Sequence, residues 1–499
     1  MTAKEAAAKQ KELETKLNAY GYAMSAIHYD AATAAPAGGA QGRGEALGYL
    51  TGVFYELFAN PEVMEWINAI LANPEETDPV TVKDAEIMKR EFEEMSKIPQ
   101  EEYIAFSRLT SESSAVWHRA KKENDFAAFA PYIDQIAQAR VRFAGYIDPA
   151  KKPYDVSLSA HEKDLTMEEL DRFFGSLREK IVPLLQRVQA AEQVDDSFLH
   201  QVYPIEKQKA FSDYLMDVIG IDKNHCAIGE TEHPFTLNFS KHDVRITTHY
   251  YEEHPEFALY STVHEGGHAL YELHTGDELV GTNLANGTSM GIHESQSRLF
   301  ENMIGRSRAF VEYIFPKMVE LFPEQLEDVT AEQMYRALNK CEPSLIRTEA
   351  DELTYCLHVM VRYEIEKKLF AGEVTAKDLP QLWQDMMNEY LGVTVPDDTH
   401  GVLQDSHWSN AQMGYFPSYA IGSAYAAQIV HAMKKDVDMD ACIREGNMAP
   451  IHEWLTERIW KFGRAKDPAE LIELACGEPF DPSYYTDYLE AKFTEIYNL

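Results

Sequence analysis

Helix-type hydrophobic spacing runs through almost the whole chain, and one short stretch interrupts it; that contrast constrains the fold more than any other feature. Residues 3–33 are rich in Ala, Lys, Glu and Leu, and apolar residues recur at helical intervals over 80–98, 101–122, 126–147 and 166–192. Asp125 before Phe126 reads as a helix N-cap, and Thr166 with Glu169 reads as a capping box. Such side chains take up backbone N–H groups that a first turn leaves free. Past residue 250 the helical pattern resumes and continues almost to Leu499. The interruption is Phe235-Thr236-Leu237-Asn238-Phe239, then Ser240-Lys241-His242, then Asp243-Val244-Arg245-Ile246-Thr247-Thr248. Its period-two alternation around a polar turn predicts a β-hairpin. An exposed edge strand there would offer its backbone to an extended peptide, although a hairpin that only covers a core has the same pattern. No internal repeat or low-complexity linker divides the 499 residues, so residues 1–499 read as one large, mainly α unit.

Charge and cysteine usage narrow the setting. Lys and Arg number 46 against 82 Asp and Glu, a net charge of −36. Phosphate backbones and anionic membrane surfaces repel such a chain, so neither nucleic acid nor membrane is expected as a partner. No apolar run approaches the roughly 20 residues that a span requires. The five cysteines, Cys226, Cys341, Cys356, Cys442 and Cys476, are scattered and odd in number, with no CxxC pair. That pattern fits reduced thiols rather than a disulfide frame. The start, Met1-Thr2-Ala3-Lys4-Glu5, opens a charged amphipathic stretch unlike a signal peptide, so a soluble, cytoplasmic protein is expected.

The chemistry concentrates at Thr262-Val263-His264-Glu265-Gly266-Gly267-His268-Ala269-Leu270. Two histidines at i and i+4 share one helix face, where their imidazoles can converge on one ion. Glu265, one residue past the first histidine, reaches the water beside the ion and serves as general base. A chance match is the competing reading, but Ala258, Leu259, Val263, Ala269 and Leu270 place the motif on a buried amphipathic helix. Gly266 and Gly267 each cost that helix roughly 1 kcal/mol relative to Ala. The cost is understandable if another backbone passes close by. A third ligand is required, and Glu272, Glu294 and Glu301 are the candidates. Glu272 would crowd one face of the ion from the same helix. Glu294, in Thr288-Ser289-Met290-Gly291-Ile292-His293-Glu294-Ser295-Gln296, begins a second helix after the loop Gly281–Gly287. A carboxylate from a separate helix leaves the fourth position open. Spacing favours Glu294 and leaves Glu301 open.

Five short motifs in fixed order resemble those of the carboxypeptidase Taq family of metallopeptidases. They are Asp243-Val244-Arg245-Ile246-Thr247, His264–His268, His293-Glu294-Ser295-Gln296, Ile346-Arg347-Thr348-Glu349-Ala350-Asp351 and Gly401-Val402-Leu403-Gln404-Asp405-Ser406-His407-Trp408, spanning residues 230–425. The resemblance implies a mainly α fold with a deep active-site groove, a small antiparallel sheet beside the metal helix, and a homodimer. It implies metal-dependent release of single residues from peptide C-termini with broad preference, and Glu294 as the third metal ligand. An oligopeptidase that cuts internally, or a non-catalytic peptide-binding protein on the same fold, are the alternatives. Zinc suits the ligand set, with cobalt or manganese also compatible.

A carboxypeptidase holds a free carboxylate, best done by the planar, always-charged arginine fork. Arg347 and Arg245 are the candidates, with Arg347 preferred. A salt bridge from Arg347 to Glu342, Glu349 or Asp351, and a solvated strand position for Arg245, are the structural alternatives. In the family context His407 donates a hydrogen bond to the scissile carbonyl or the peptide terminus, rather than simply being held by Asp405. Tyr415 and Tyr419, in Gly414-Tyr415-Phe416-Pro417-Ser418-Tyr419, offer phenols for a developing oxyanion, and the sequence does not choose between them.

Overall fold

The computed structural model describes residues 1–499, the Ala37 side chain excepted. The expected early helices form at Ala3–Thr33, Pro79–Ser96, Gln100–Glu123, Phe126–Ile147 and Met167–Ala190. Their starts obey local chemistry. Ala128 N donates to the Asp125 carboxylate, and Thr166 and Glu169 exchange backbone-to-side-chain bonds of 3.0 and 3.3 Å. One large apolar core extends from Phe126 and Ile133 through Val263, Leu270 and Phe300 to Trp460 and Phe493. A smaller core, around Leu13, Leu17, Val63, Ile67 and Met88, joins the first helix to Pro61–Ala72 and Pro79–Ser96. These N-terminal helices meet the loop before residue 290: Ile87 packs with Leu279 and Leu284, and Asn18 Nδ2 donates to Gly281 O at 2.9 Å. Among the described residues no helix is long and apolar enough to cross a membrane.

The hairpin forms as β2 (Thr236–Ser240) and β3 (Asp243–Thr248), but the sheet has a third strand, β1 (Cys226–Glu230). The strand order is β1-β3-β2, with β1 parallel and β2 antiparallel to β3. The sheet is therefore mixed rather than purely antiparallel. Periodicity gave no warning of β1, because Cys226-Ala227-Ile228-Gly229-Glu230 is short and carries a glycine. The Gly229 position is filled by the Tyr29 hydroxyl from the first helix. Register then assigns the faces. Val244 and Ile246 are fully buried, and helix Pro255–Leu273 packs on β3. Thr236 and Asn238, opposite Ile246 and Val244, share that face, whereas Arg245 and Leu237 face the other way.

Candidate metal centre

Helix Pro255–Leu273 carries His264, Glu265 and His268, and its apolar residues Ala258, Leu259, Val263, Ala269 and Leu270 are all buried. The two glycines inside it have different neighbours. A methyl group on Gly267 would lie 2.7 Å from Gln296 O and 2.8 Å from Ser297 Cα, both backbone atoms of the crossing helix Met290–Arg298. One on Gly266 would run into the Ile219 and Ile221 side chains. The helix cost of Gly267 thus brings the Glu294 helix into direct contact with the histidine helix. On the far side, Gly422 of helix Pro417–Met433 leaves room for Glu294 Cβ and Cγ. The helix that carries Glu294 is held between two glycines.

These contacts gather His264, His268 and Glu294, whose donor atoms all lie within 4.8 Å of one another. His264 Nε2 is 3.9 Å and His268 Nε2 3.5 Å from Glu294 Oε2. The other two acidic candidates stand behind the histidines. Glu301, in the π-helical turn Leu299–Gly305, lies 2.8 Å from His264 Nδ1. Glu272 lies 2.7 Å from His293 Nε2, and His293 Nδ1 is 2.6 Å from His268 Nδ1. Both Nδ1 atoms are engaged, so both Nε2 atoms are free to turn toward Glu294. Two half-buried imidazoles and one buried carboxylate, oriented in this way, fit a divalent ion.

Electrostatics supports the same arrangement. Burial alone would raise the Glu294 carboxyl, but Arg298, His264 and His268 hold it well below the usual range; Arg298 Nε donates to Glu294 Oε1 at 2.7 Å. Burial pushes His268 down to about 3, leaving it neutral. For His264 the burial penalty is outweighed by Glu294 and Glu301, which raise it. Glu265 is raised, chiefly by burial, against the opposing pull of His264 and Thr236. Thr236 Oγ1 lies 2.6 Å from Glu265 Oε2, so the hairpin holds the Glu265 carboxyl.

A second, partly buried cluster collects Arg347, His407, Tyr415 and Tyr419. Arg347, 5% exposed, donates through Nε and Nη2 to Asp405 Oδ1 at 3.1 and 2.8 Å, and through Nη1 to the Tyr355 hydroxyl at 2.8 Å. Its acidic partner is therefore Asp405, not Glu342, Glu349 or Asp351. Arg362, fully buried, donates to Asp405 Oδ2 at 2.8 Å. His407 is not held by Asp405. Its Nε2 is 3.1 Å from the Tyr419 hydroxyl, its ring lies on Phe416, and its buried Nδ1 has no partner among the described residues. Burial pushes its pKa down to about 3, so the ring is neutral. Tyr415 and Tyr419 stand with ring centres 5.1 Å apart, and Tyr419 covers the Arg347 guanidinium at 4.9 Å. The cluster connects to Glu294 through Tyr355, whose ring lies 4.1 Å from the guanidinium of Arg298, the partner of Glu294.

Arg245 occupies a different place. It pairs with Asp243 through two 2.9 Å bonds and lies against Phe239 and Tyr29, on the sheet face opposite Thr236. Several participants escaped the sequence reading. Arg298, four residues beyond Glu294, was readable as an i,i+4 pair. His293 lies in the His293-Glu294-Ser295-Gln296 motif, where its position alone indicates no role. Thr236 and Arg362 had no local signal.

Residues 9–493 match the model of the carboxypeptidase Taq (M32) metallopeptidase family. Carboxypeptidase 1 of Bacillus subtilis (strain 168) is 40% identical over 490 residues, 98% of either chain. Thermostable carboxypeptidase 1 of Thermus thermophilus is 35% identical over 484 residues, 94% of either chain. The crystal structure of an M32 carboxypeptidase from Deinococcus radiodurans R1 superposes with a TM-score of 0.97 at 35% identity, covering 99% of this chain and 100% of that one.

Proposed function

The chain belongs to the carboxypeptidase Taq (M32) family and is a metallocarboxypeptidase, and on that premise we propose which of its residues do the work. His264, His268 and Glu294 hold the divalent ion. Two imidazoles and a carboxylate suit zinc, with cobalt or manganese as alternatives. Such an ion supplies Lewis acidity, polarising a carbonyl and acidifying water. Glu265 removes the proton of the attacking water and returns it to the leaving amine; its burial and its bond from Thr236 support that role. Tyr415, Tyr419 and His407 supply donors for the developing oxyanion or the peptide terminus. Arg347 anchors the substrate's terminal carboxylate, and Arg245 takes a lesser part in substrate binding. The edge strand β2 pairs with the extended peptide. The enzyme accepts many C-terminal residues, works as a homodimer and is cytoplasmic.

The observation that carries the anchor is a charge imbalance. Two buried guanidiniums, Arg347 and Arg362, share the single carboxylate of Asp405, while His407 beside them is neutral. Buried charge without a full complement is costly, and a substrate carboxylate supplies the missing anion. Asp405 uses one Nη2 hydrogen and Nε of Arg347, and Tyr355 one Nη1 hydrogen, leaving two N–H groups on the fork.

Arg347→Met tests this assignment, because Arg362 still pairs Asp405 in that variant. A hydrogen bond to a charged group contributes roughly 1.5–3 kcal/mol, so kcat/KM on free-acid peptides should fall about 10- to 150-fold. Arg347→Lys should retain more, and any residual cleavage of amidated peptides should not change. Equal slowing of both substrates would assign Arg347 to structure alone.

A further inference from the structure

The two histidines of the metal helix are supported from behind in different ways. His264 Nδ1 meets a carboxylate directly, Glu301, which Arg298 and Arg306 hold in turn. His268 meets another imidazole: its Nδ1 lies 2.6 Å from Nδ1 of His293, whose Nε2 lies 2.7 Å from Glu272 Oε1. Glu272 is 5% exposed, and its other oxygen accepts from Asn238 Nδ2 at 2.6 Å.

Counting protons along these contacts decides what they do. Two facing Nδ1 atoms share one proton, and a carboxylate only accepts. The proton between Glu272 and His293 therefore stands on His293 Nε2. A His268 that ligates through Nε2 carries its own proton on Nδ1, and the facing His293 Nδ1 accepts it. That leaves Nε2 as the bare nitrogen of His268, and Nε2 is the atom 3.5 Å from Glu294. We propose that His293, backed by Glu272, is a positioning residue that sets the tautomer and ring plane of His268 for its ion. The proposal rests on the assignment of His268 as a ligand.

Packing fixes the relay in place. A methyl group on Gly287 would lie 2.5 Å from His293 Cδ2 and 2.9 Å from the Tyr271 ring, so the loop backbone passes directly over the imidazole. The Tyr271 ring centre stands 5.2 Å from that of His293. Both relay residues are chain neighbours of ligands, Glu272 one turn beyond His268 and His293 immediately before Glu294. This accounts for a glutamate at ligand-like spacing that lies outside the donor cluster.

The test strips zinc from the loaded full-length protein with a chromogenic chelator, which reads affinity without turnover. Loss of an outer partner of a ligating histidine typically weakens metal binding about 10- to 100-fold, and His293→Leu should fall in that range. His293→Asn keeps an acceptor facing His268 Nδ1 and should hold zinc nearly as tightly as the parent. If Leu is not accommodated beneath Gly287, His293→Ala removes the same acceptor with less bulk. Unchanged affinity in the Leu or Ala variant would overturn the proposal. So would equal loss in the Asn variant, which would reduce His293 to packing. His268→Ala tests the ligand assignment separately: if it loses zinc while His293→Leu does not, the relay alone is wrong.

Discussion

Replacing Gly267 by alanine sets two known effects against each other at the point where the helices carrying His264, His268 and Glu294 touch. Helix propensity favours the change by about 1 kcal/mol. Against it, the new methyl would lie 2.7 Å from Gln296 O and 2.8 Å from Ser297 Cα, and both are backbone atoms that no rotamer change can clear. Nor can helix Met290–Arg298 readily retreat, because Glu294 Cβ and Cγ already fill the Gly422 position, 2.7 Å from where a Cβ would stand. Overpacking of this kind costs typically about 1–3 kcal/mol, and confinement on both sides places this case at the upper end. After the propensity gain, a net loss of about 1–2 kcal/mol is expected. Displacing Glu294 from His268 should also weaken zinc at least about ten-fold, equivalent to about 1.4 kcal/mol. Urea unfolding of the metal-free protein and chelator competition on the loaded protein measure the two effects. Gly175→Ala is the control: this glycine lies inside helix Met167–Ala190 with nothing near its missing Cβ, and the change should stabilise by about 0.5–1 kcal/mol. If Gly267→Ala stabilised as much as the control and held zinc normally, the close-contact argument would be wrong.

Further outcomes follow from the same geometry. Glu265→Gln keeps an acceptor for Thr236 and all three proposed ligands, so zinc content should be unchanged while kcat falls about 10²–10⁴-fold; retention of more than about a tenth of parent kcat would exclude a general base there. In the N-terminal core, burial and then Asp84 push the Glu14 carboxyl up to about 9, so the fold holds a proton that the unfolded chain releases from pH 4.5 upward. Stability should therefore decline as pH rises from about 4.5 to 9, with a contribution of at most about 1.4 kcal/mol per unit. Glu14→Gln should flatten the slope in urea titrations at pH 6, 7 and 8, and an unaltered slope would contradict the assignment. Light scattering at micromolar concentration should give twice the 56.8 kDa chain mass, and the monomer mass would refute the homodimer.

What could be read in the sequence depended on how local the determining interaction was. Capping at Asp125 and at Thr166–Glu169, and the apolar spacing of the early helices, involve residues within a turn, and those elements were legible. So was the β2–β3 hairpin. β1 was not, because its partner β3 is reached only across the whole of β2 and its own residues do not alternate. At the candidate metal centre the i,i+4 histidines and the expensive glycines were legible; the close backbone expected at both glycines is met at Gly267, whereas Gly266 meets the Ile219 and Ile221 side chains. The Asp405 cluster was illegible for a physical reason. Its bonds to Arg347 and Arg362 span 58 and 43 residues, while nearer acids offered themselves as partners. One of those, Asp351, accepts instead from the backbone of Leu353 and Thr354 at a helix start.

The most direct test of the account is mass spectrometry of a defined peptide pool digested by the zinc-loaded enzyme, with each peptide present as free acid and as C-terminal amide. If an ion sits beside Glu265 and Arg347 anchors the terminal carboxylate, as proposed, ladders of single-residue losses from the C-terminus of the free acids are expected, with the amides left largely intact. Internal fragments, or amides trimmed as fast as acids, would contradict it.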